Sequence, residues 1–377
     1  MIDTLETATA LTQAREICPK CMEHGPCGGV RANGGCEVNE GLHCPYLDVL
    51  DDLPWRQPQL SKSQDHRLRP QDEAYSQGKL EATLRAGNFA IIAEVYTPDS
   101  ADLSQLIAQY TPFKDNITAV NIAEHALATP HASTLAAAAL FERAGLETII
   151  NLTCRDRNRI GLQGEILGAA ALGVPNIFCI TGDHPALGDD PTATPVFDLD
   201  SLGLIALAKQ LRDDGTLLTG RKLTTSPDIF IGAAANPFST PINLQAERVA
   251  AKVAAGANFI QTQGIFDVSG FTTFVEQLRD WGALEYAHLI AGVALVTSSK
   301  QARWLQTAVP GARVPNELIE RLEHLPESDQ RTFGLDYAIN LIAELKALDG
   351  VSGVLLFPLQ GDISSIARLI DILDSLT

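Results

Sequence analysis

Short apolar runs alternate along most of the chain with longer segments that have helical periodicity. Eight of these runs are rich in Ile, Val and Phe, and they cover residues 89–95, 118–124, 146–153, 176–181, 228–234, 258–263, 288–295 and 351–357. Amphipathic segments separate them, for example residues 131–144, 161–172, 198–212, 243–255, 298–308 and 362–375. Near-continuous apolar strands that alternate with helices predict a parallel sheet covered by helices.

The number of strands predicts the architecture. Eight strands with helical connections indicate an α/β fold of the (β/α)8 TIM barrel type, which typically takes about 250 residues plus insertions. A helical insertion is expected around residues 315–348, before the last strand. A doubly wound open sheet is the alternative, but no GxGxxG motif follows the first strand, which disfavours it.

The first 76 residues lack this regular alternation, so a different organisation is expected there. Residues 1–45 are rich in Gly and Cys and predict a small metal-binding module. Residues 46–76 contain Pro54, Pro58 and Pro70 among many polar residues, which predicts a linker or a surface extension. Residues 77–377 then form the barrel.

Cysteines are concentrated in the N-terminal module. Five of the seven fall within 27 residues, at Cys18, Cys21, Cys27, Cys36 and Cys44. An odd number of clustered cysteines fits disulfides poorly, whereas thiolates suit zinc or a 4Fe-4S cluster, either of which takes four ligands. The pattern therefore predicts a metal site with one spare cysteine, and it leaves the identity of the metal open.

Composition excludes several classes of protein. Hydrophobic residues make up 45% of the 377 positions, enough for a sizeable core, and the net charge of −18 argues against a general grip on nucleic acid. We expect no membrane span, because no apolar stretch reaches about 18 residues. The first fifteen residues lack the features of a secretory signal, which indicates a cytoplasmic protein.

Candidate chemistry lies at the ends of the predicted strands, where barrel enzymes place their sites. Glu94 ends the apolar run of the first strand. A carboxylate in an apolar barrel mouth has a raised pKa, as a general acid requires. The alternative is a carboxylate that is paired with a nearby Lys or Arg.

Other candidates follow the third to sixth strands. In residues 181–184, Gly182 lets backbone approach a ligand closely, and Asp183 either binds a ring N–H or caps a helix. The basic stretch 155–159 predicts either a phosphate contact or a salt-bridged loop. Lys252 is either a solvated lysine or a phosphate contact.

Several strings in residues 80–377 resemble the methylenetetrahydrofolate reductase family. They are AEVYTP (93–98), NLTCRDRNR (151–159), ALGVPNIFCITGDHP (171–185), FIGAAANP (230–237) and KVAAGANFIQTQGIFD (252–267). Near the N-terminus, CPKCMEHGPCGG (18–29) and GGCE (34–37) resemble the second half of a cysteine-rich module that is attached to some members of this family.

The resemblance implies an FAD-bearing barrel that reduces 5,10-methylenetetrahydrofolate to 5-methyltetrahydrofolate in one-carbon metabolism and methionine biosynthesis. By position, Glu94 would be the general acid, and Asp183 would hold the folate and stabilise a developing cation. Gln263 and Gln301 would contact the substrate. The implied cofactor-site positions are Asn151, Thr153, Thr181, Gly182, Asp183, His184, Phe197, Ala233, Asn236 and Lys252.

Some positions depart from the family's familiar pattern. Asn151, Ala123 and Leu305 replace a His, a Thr and an aromatic residue, and the last strand ends without an Arg. The electron donor is therefore either NAD(P)H or a ferredoxin or partner subunit that acts through the N-terminal metal site, in a homo-oligomer or a hetero-complex. Two alternative functions are a folate-dependent methyl-transfer protein without redox chemistry and a non-catalytic subunit that docks electron carriers.

Overall fold

A closed barrel of parallel strands forms the body of the protein. The computed structural model describes residues 2–56, 74–359 and 363–375. Eight strands pair in chain order and close on themselves, which confirms the predicted (β/α)8 fold. They are β1 (Ala90–Tyr96), β2 (Ala119–Ala123), β3 (Thr148–Thr153), β4 (Asn176–Ile180), β5 (Phe230–Ala235), β6 (Phe259–Gly264), β7 (His288–Ala294) and β8 (Val351–Phe357).

Helices cover the outside of the barrel. In chain order they are α1 (Ile2–Ile17), α2 (Lys79–Arg85), α3 (Ser104–Tyr110), α4 (Thr134–Arg143), α5 (Arg159–Ala171), α6 (Ser201–Lys209), α7 (Gln245–Ala255), α8 (Val268–Asp280), α9 (Ser299–Ala308), α10 (Asn316–His324), α11 (Glu327–Ala347) and α12 (Ile363–Ser375). The predicted insertion before the last strand corresponds to α10 and α11. Within the described residues, no helix combines the length and the apolar character needed to cross a membrane.

Polar capping residues begin several of these helices at the carboxyl end of the barrel. The side chains of Ser133, Asn158, Asp200, Asp267 and Ser298 each accept a hydrogen bond from a backbone N–H in the first turn of the following helix. Such caps satisfy donors that have no partner inside the helix. They therefore fix where each connection turns back from the rim of the barrel.

Apolar side chains fill the lower part of the barrel lumen. Phe178, Phe230 and Phe259 stack there, and Ile92 and Ile149 belong to the same cluster. Leu80 and Leu84 of α2 pack beneath them and close the amino end of the barrel. A separate and larger cluster lies between the strands and the surrounding helices. The lumen is thus open to ligands only at the carboxyl ends of the strands.

The N-terminal segment folds as a small unit beside the barrel. After α1, two antiparallel bridges join Val30 to Cys36 and Gly35 to His43. The segment has its own apolar cluster, which includes Cys18, Met22, Val30, Cys44, Tyr46 and Leu53. Residues 46–56, where the sequence predicts a linker, pack into this cluster, and residues 57–73 lie outside the described residues. We refer to residues 2–56 as the N-terminal module.

Candidate active site

Glu94 lies near the carboxyl end of β1, facing the lumen, and only 8% of its surface is exposed. Burial raises the pKa of its carboxyl to about 7, although hydrogen bonds with Tyr96 and Asn121 oppose this shift. The amide of Asn121 donates to Glu94 Oε2 over 3.4 Å, and the hydroxyl of Tyr110 donates to the Glu94 carbonyl. Within the described residues, no salt bridge involves Glu94. The alternative prediction, a carboxylate paired with a nearby Lys or Arg, is therefore wrong for these residues.

A polar layer lies directly above the apolar floor of the lumen. Ile92, Ala119, Ile149 and Phe259 face inward, and side chains two positions further along a strand face the same way. The residues at those positions are Glu94, Asn121, Asn151 and Gln261, and all four are buried. Glu94, Asn121 and Asn151 lie on the adjacent strands β1, β2 and β3, and Gln261 faces the same lumen from β6; we call these four side chains, which form the base of the barrel mouth, the polar layer.

The loop after β4 forms one side of the mouth and carries Asp183. Gly182 adopts φ +89°, and a Cβ there would lie 3.0 Å from the Cβ of Thr153, so only glycine fits without strain. The hydroxyl of Thr181 accepts from the Ser201 backbone. Asp183 is half-buried, and its carbonyl accepts a hydrogen bond from Arg155.

His184 and Phe197 form the outer part of the same wall. Their rings stack with centroids 6.0 Å apart, and Phe197 has φ +39°, a strained value for a side chain of this size. The His184 ring accepts from the backbone of Ala186. Burial and the nearby charge of Lys20 lower the pKa of His184, which favours a neutral ring at this position.

The basic stretch after β3 is a salt-bridged loop. Arg155, Arg157 and Arg159 contact carboxylates of Asp156, Glu124 and Asp198 respectively, at 2.7–2.8 Å. Glu124, at the end of the β2 segment, also accepts from the backbone and hydroxyl of Thr153. This network occupies the three guanidinium groups and fixes the β3 end of the mouth, so it agrees with the salt-bridge alternative.

Lys252 lies in a groove between α6 and α7. Its ammonium donates to the carbonyl of Ala234 over 2.6 Å, and Arg248 lines the same groove one turn earlier on α7. Burial and the neighbouring guanidinium lower the pKa of Lys252 to about 7. Two cations one helical turn apart repel each other. The carboxylate of Asp200 lines the same groove and offsets part of that repulsion.

The remaining predicted positions do not all face the mouth. Ala233 lies in the outer cluster between strands and helices. The amide of Asn236 donates to the carbonyl of Pro310, and the Gln301 carbonyl oxygen accepts from the backbone and hydroxyl of Thr297. Gln263, by contrast, is exposed at the end of β6. Gln263 is therefore free to meet a ligand, whereas Gln301 stabilises the start of α9.

A buried carboxylate of the barrel, Asp200, anchors the N-terminal module. Asp200, which caps α6, accepts hydrogen bonds from the backbone N–H groups of Glu23 and His24 and from the His24 ring, at 2.8–3.0 Å. Burial opposes the ionised form, yet these bonds hold the pKa of Asp200 well below its usual range. The same contact raises the pKa of His24. Arg56 adds a salt bridge to Glu247.

Docking brings a buried lysine of the module to the barrel mouth. Lys20 is 5% exposed and pairs with Glu37 over 2.6 Å. Burial opposes its charge, but Cys27, Glu37 and Asp183 together raise the pKa of Lys20. The ammonium of Lys20 is thus part of the electrostatic surroundings of Asp183.

The five clustered cysteines are free thiols in the module. Burial raises the pKa of Cys18 and Cys44, and the thiols of Cys27 and Cys36 add to both shifts, so these four lie near one another. Cys21 is exposed. Among the described residues, no group of three or more His, Cys, Asp or Glu side chains is arranged to hold a metal ion. The side-chain positions therefore do not support the predicted metal site.

Sequence reasoning missed two lumen residues, Tyr96 and Asn121, and it assigned no role to Gln261. The polar residues at the strand ends lie at the rim of the mouth. The residues at its base lie within the strands, where alternation decides which side chains face the lumen. Counting two positions on from the apolar lumen residues identifies both amides. Lys20 carries no local signal of its role, because its approach to Asp183 depends on how two distant segments dock.

Comparison with known proteins places this geometry in context. The family model described as "Methylenetetrahydrofolate reductase" matches residues 79–371, the barrel. A second family model, described as "Methylene-tetrahydrofolate reductase C terminal", matches residues 5–72. A solved Clostridium thermocellum protein, described as binding two copies of 5-methyl-5,6,7,8-tetrahydrofolic acid, has a TM-score of 0.55 at 12% identity. The match covers 79% of this chain and 99% of the Clostridium thermocellum chain. At this level of identity it shows a similar fold.

Two curated relatives have related sequences. "Methylenetetrahydrofolate reductase 2" of Saccharomyces cerevisiae is 28% identical over 231 residues, which cover 58% of this chain and 35% of the yeast protein. "5,10-methylenetetrahydrofolate reductase" of Pectobacterium carotovorum subsp. carotovorum is 26% identical over 206 residues, which cover 53% of this chain and 61% of the relative. The matched region thus spans only part of each relative's length.

Proposed function

The chain belongs to the methylenetetrahydrofolate reductase family, and from this premise we propose that it reduces 5,10-methylenetetrahydrofolate to 5-methyltetrahydrofolate with FAD as cofactor. The observation that carries the proposal is Glu94, a buried carboxyl in the barrel mouth whose pKa is raised to about 7. A carboxyl of this kind keeps its proton near neutral pH and can give it to a substrate nitrogen.

Glu94 would act first, by transferring its proton to N10 of the folate. The bond between N10 and the bridging methylene then breaks, the five-membered ring opens, and the methylene remains on N5 as an iminium cation. Asp183, on the adjacent wall, would hold the pterin and stabilise this positive charge, because a carboxylate acts strongly on charge in a site of low dielectric. When bound, reduced FAD supplies the hydride that converts the methylene to a methyl group.

The residues around the mouth and the neighbouring groove support the proposal of an FAD site. Lys252 and Arg248 line one groove, together with Asp200, and an anionic diphosphate bound there would favour the charged form of Lys252. Gly182 leaves room for a ring to approach the backbone. Thr181, His184 and Phe197 stand on the same wall as Asp183, with Asn151 and Thr153 on the neighbouring strand. We propose this wall as the flavin side of the mouth, with Gln263 on the substrate side.

Turnover under a chemical reductant tests the proposal without knowledge of the donor. Anaerobic protein loaded with FAD and supplied with reduced viologen is expected to convert 5,10-methylenetetrahydrofolate to 5-methyltetrahydrofolate, measured by chromatography. Absence of product from protein with bound FAD would contradict the proposal. Adding NADH, NADPH or reduced ferredoxin in place of viologen then separates the two classes of donor.

The cytoplasmic location and the homo-oligomer or hetero-complex expected from the sequence stay predictions.

The rate of folate reduction is expected to fall as pH rises above about 7. Glu94 acts in its protonated form, so the rate should drop roughly tenfold per pH unit beyond its pKa. Because this pKa lies above the usual 4.5, the neutral carboxyl also stabilises the fold at low pH, and that contribution is lost as pH rises through about 7. Stopped-flow oxidation of the reduced flavin by folate measures the profile. A rate that is constant from about pH 6 to about pH 9 would contradict the role of Glu94.

We further propose that Cys18, Cys27, Cys36 and Cys44 hold zinc or a 4Fe-4S cluster, with Cys21 as the spare thiol. Support comes from the closeness of the Cys27 and Cys36 thiols to Cys18 and Cys44 and from the exposure of Cys21. The side chains would have to move to reach ligating geometry, so no step of the reaction is derived through a metal.

The variant Cys27→Ala is expected to lower the metal content, because a structural zinc ion or a 4Fe-4S cluster takes four protein ligands and the variant keeps three of them. Flavin reduction by 5-methyltetrahydrofolate should persist, since Cys27 lies in the module. Metal content by atomic emission, with Cys21→Ala as the matched control, checks both statements. Equal metal content in the two variants would show that the assignment of Cys27 is wrong.

A further inference from the structure

Gln261 is the most completely buried amide in the mouth that lacks hydrogen bonds. It is 2% exposed, and neither its Nε2 nor its Oε1 has a hydrogen-bond partner among the described residues. The Oδ1 atoms of Asn121 and Asn151 are also buried without partners. Buried polar atoms are nearly always paired in native proteins, so each exception needs an explanation. Four unpaired atoms on three residues of the polar layer indicate a site that a ligand completes.

The direction of Gln261 supports the same interpretation. Phe259 faces the lumen in the apolar floor, so Gln261, two positions later on β6, faces the lumen as well. Its neighbour in the register on β5 is Ala234, whose small side chain leaves space beside the amide. The lumen of an eight-stranded barrel is only wide enough for a few side chains or one small ligand. A ring that enters the mouth to meet Glu94 therefore also approaches Gln261.

The unpaired atoms define the chemistry of that ring. The layer offers three unpaired acceptors, on Asn121, Asn151 and Gln261, and one unpaired donor, on Gln261. A ligand that pairs all of these atoms must therefore carry several N–H groups and a carbonyl. Both pterins and flavins present a cyclic amide, with N–H beside C=O, but only the pterin adds an exocyclic amino group. The donor-rich pterin matches the layer better.

We propose that Gln261 is a specificity-determining residue that hydrogen-bonds the cyclic amide edge of the folate pterin, with Asn121 accepting from a remaining N–H group. This inference rests on the proposed folate reduction and deepens it. In the ligand-free protein the unpaired amide destabilises the fold, and bound pterin removes that cost. Gln261 therefore favours ligands with a cyclic amide over rings of similar shape without one.

The variant Gln261→Met tests the proposal, because it keeps the volume of the side chain and removes both hydrogen-bonding atoms. In the full chain, the Kd for 5-methyltetrahydrofolate, measured by calorimetry, is expected to rise about tenfold or more. The Kd for FAD should change by less than about twofold. The melting temperature without ligands should rise, because two unpaired polar atoms are removed.

A matched control lies at the other end of the lumen. Asn176 is buried on β4, and its Nδ2 donates to Glu147 and to the carbonyl of Thr148, whereas its Oδ1 is a buried acceptor without a partner among the described residues, like those of the polar layer. Asn176→Ala is expected to lower the melting temperature and leave both Kd values unchanged. If Gln261→Met is insoluble, Gln261→Leu replaces it.

Each other outcome is decisive. An unchanged folate Kd in folded Gln261→Met overturns the inference, and a rise in the FAD Kd alone assigns the amide to the flavin instead of the pterin. A lower melting temperature with unchanged binding would indicate a structural role, for example through internal water. Wild-type protein that binds no folate would instead overturn the proposed function, whatever the variant does.

Discussion

Replacing Glu94 with glutamine is expected to reduce the rate of folate reduction by about 10²–10⁴-fold, the usual contribution of a general acid. Glutamine fills the same volume and can still bond Asn121 and Tyr96, but it has no proton of suitable acidity to transfer. FAD should remain bound and reducible by a chemical donor. Single-turnover mixing of the reduced enzyme with 5,10-methylenetetrahydrofolate measures the loss directly.

Glu124 provides the matched control for Glu94. It is also a buried carboxylate at the mouth, but it pairs with Arg157 over 2.7 Å and accepts two bonds from Thr153. Glu124→Gln should therefore lower stability, because Arg157 keeps only its longer contact with Glu165, while the pH dependence of the rate persists. Full folate activity in Glu94→Gln would contradict the assignment of the general acid.

Replacing Asp200 with alanine is expected to lower the free energy of unfolding by roughly 3–5 kcal/mol, the usual cost of removing one partner from a buried charged pair. Asp200 is 1% exposed and joins the cap of α6 to His24 and to two backbone N–H groups of the module. The module should then detach, and proteases should cleave residues 18–44 faster. Urea denaturation and timed proteolysis measure the two effects.

Asp198 is the control for this prediction, because it lies two positions away and also forms a salt bridge. Its carboxylate and its partner Arg159 are partly exposed, so Asp198→Ala should cost less than about 1 kcal/mol. Equal stability losses in Asp200→Ala and Asp198→Ala would show that Asp200 has no special role in docking.

Docking also depends on pH. The pKa of Asp200 is lowered and that of His24 is raised, so the contact weakens as pH falls through the carboxylate's pKa or rises through the imidazole's.

The strands and the barrel follow from local pattern, and this explains why the sequence predicts them well. The strands are short and apolar, and several are followed by a helix with its own polar cap, as at Ser133 and Asn158. Periodicity and capping are properties of neighbouring residues. Closure into a barrel then follows from the number of strands. The burial of Glu94 is predictable for the same reason, since it directly extends an apolar run.

Other features depend on contacts between distant segments. The backbone contacts that occupy Asn236 and Gln301 involve Pro310 and Thr297, and side-chain identity alone does not reveal them. Ala233 and Ala234 look alike in sequence, but alternation sends one to the outer cluster and one to the lumen. Docking of the module on Asp200 joins residues more than 170 positions apart, so the approach of Lys20 to Asp183 emerges only from the fold.

The most direct test of the central claim is the visible spectrum of anaerobically purified protein before and after addition of 5-methyltetrahydrofolate. The account predicts an absorption band of oxidised flavin that bleaches when the folate is added, because the reverse reaction passes a hydride from the methyl group to FAD. A bound flavin whose band does not change with folate would leave the barrel in place and contradict the proposed reaction. Protein that takes up no flavin even after reconstitution would favour the methyl-transfer alternative.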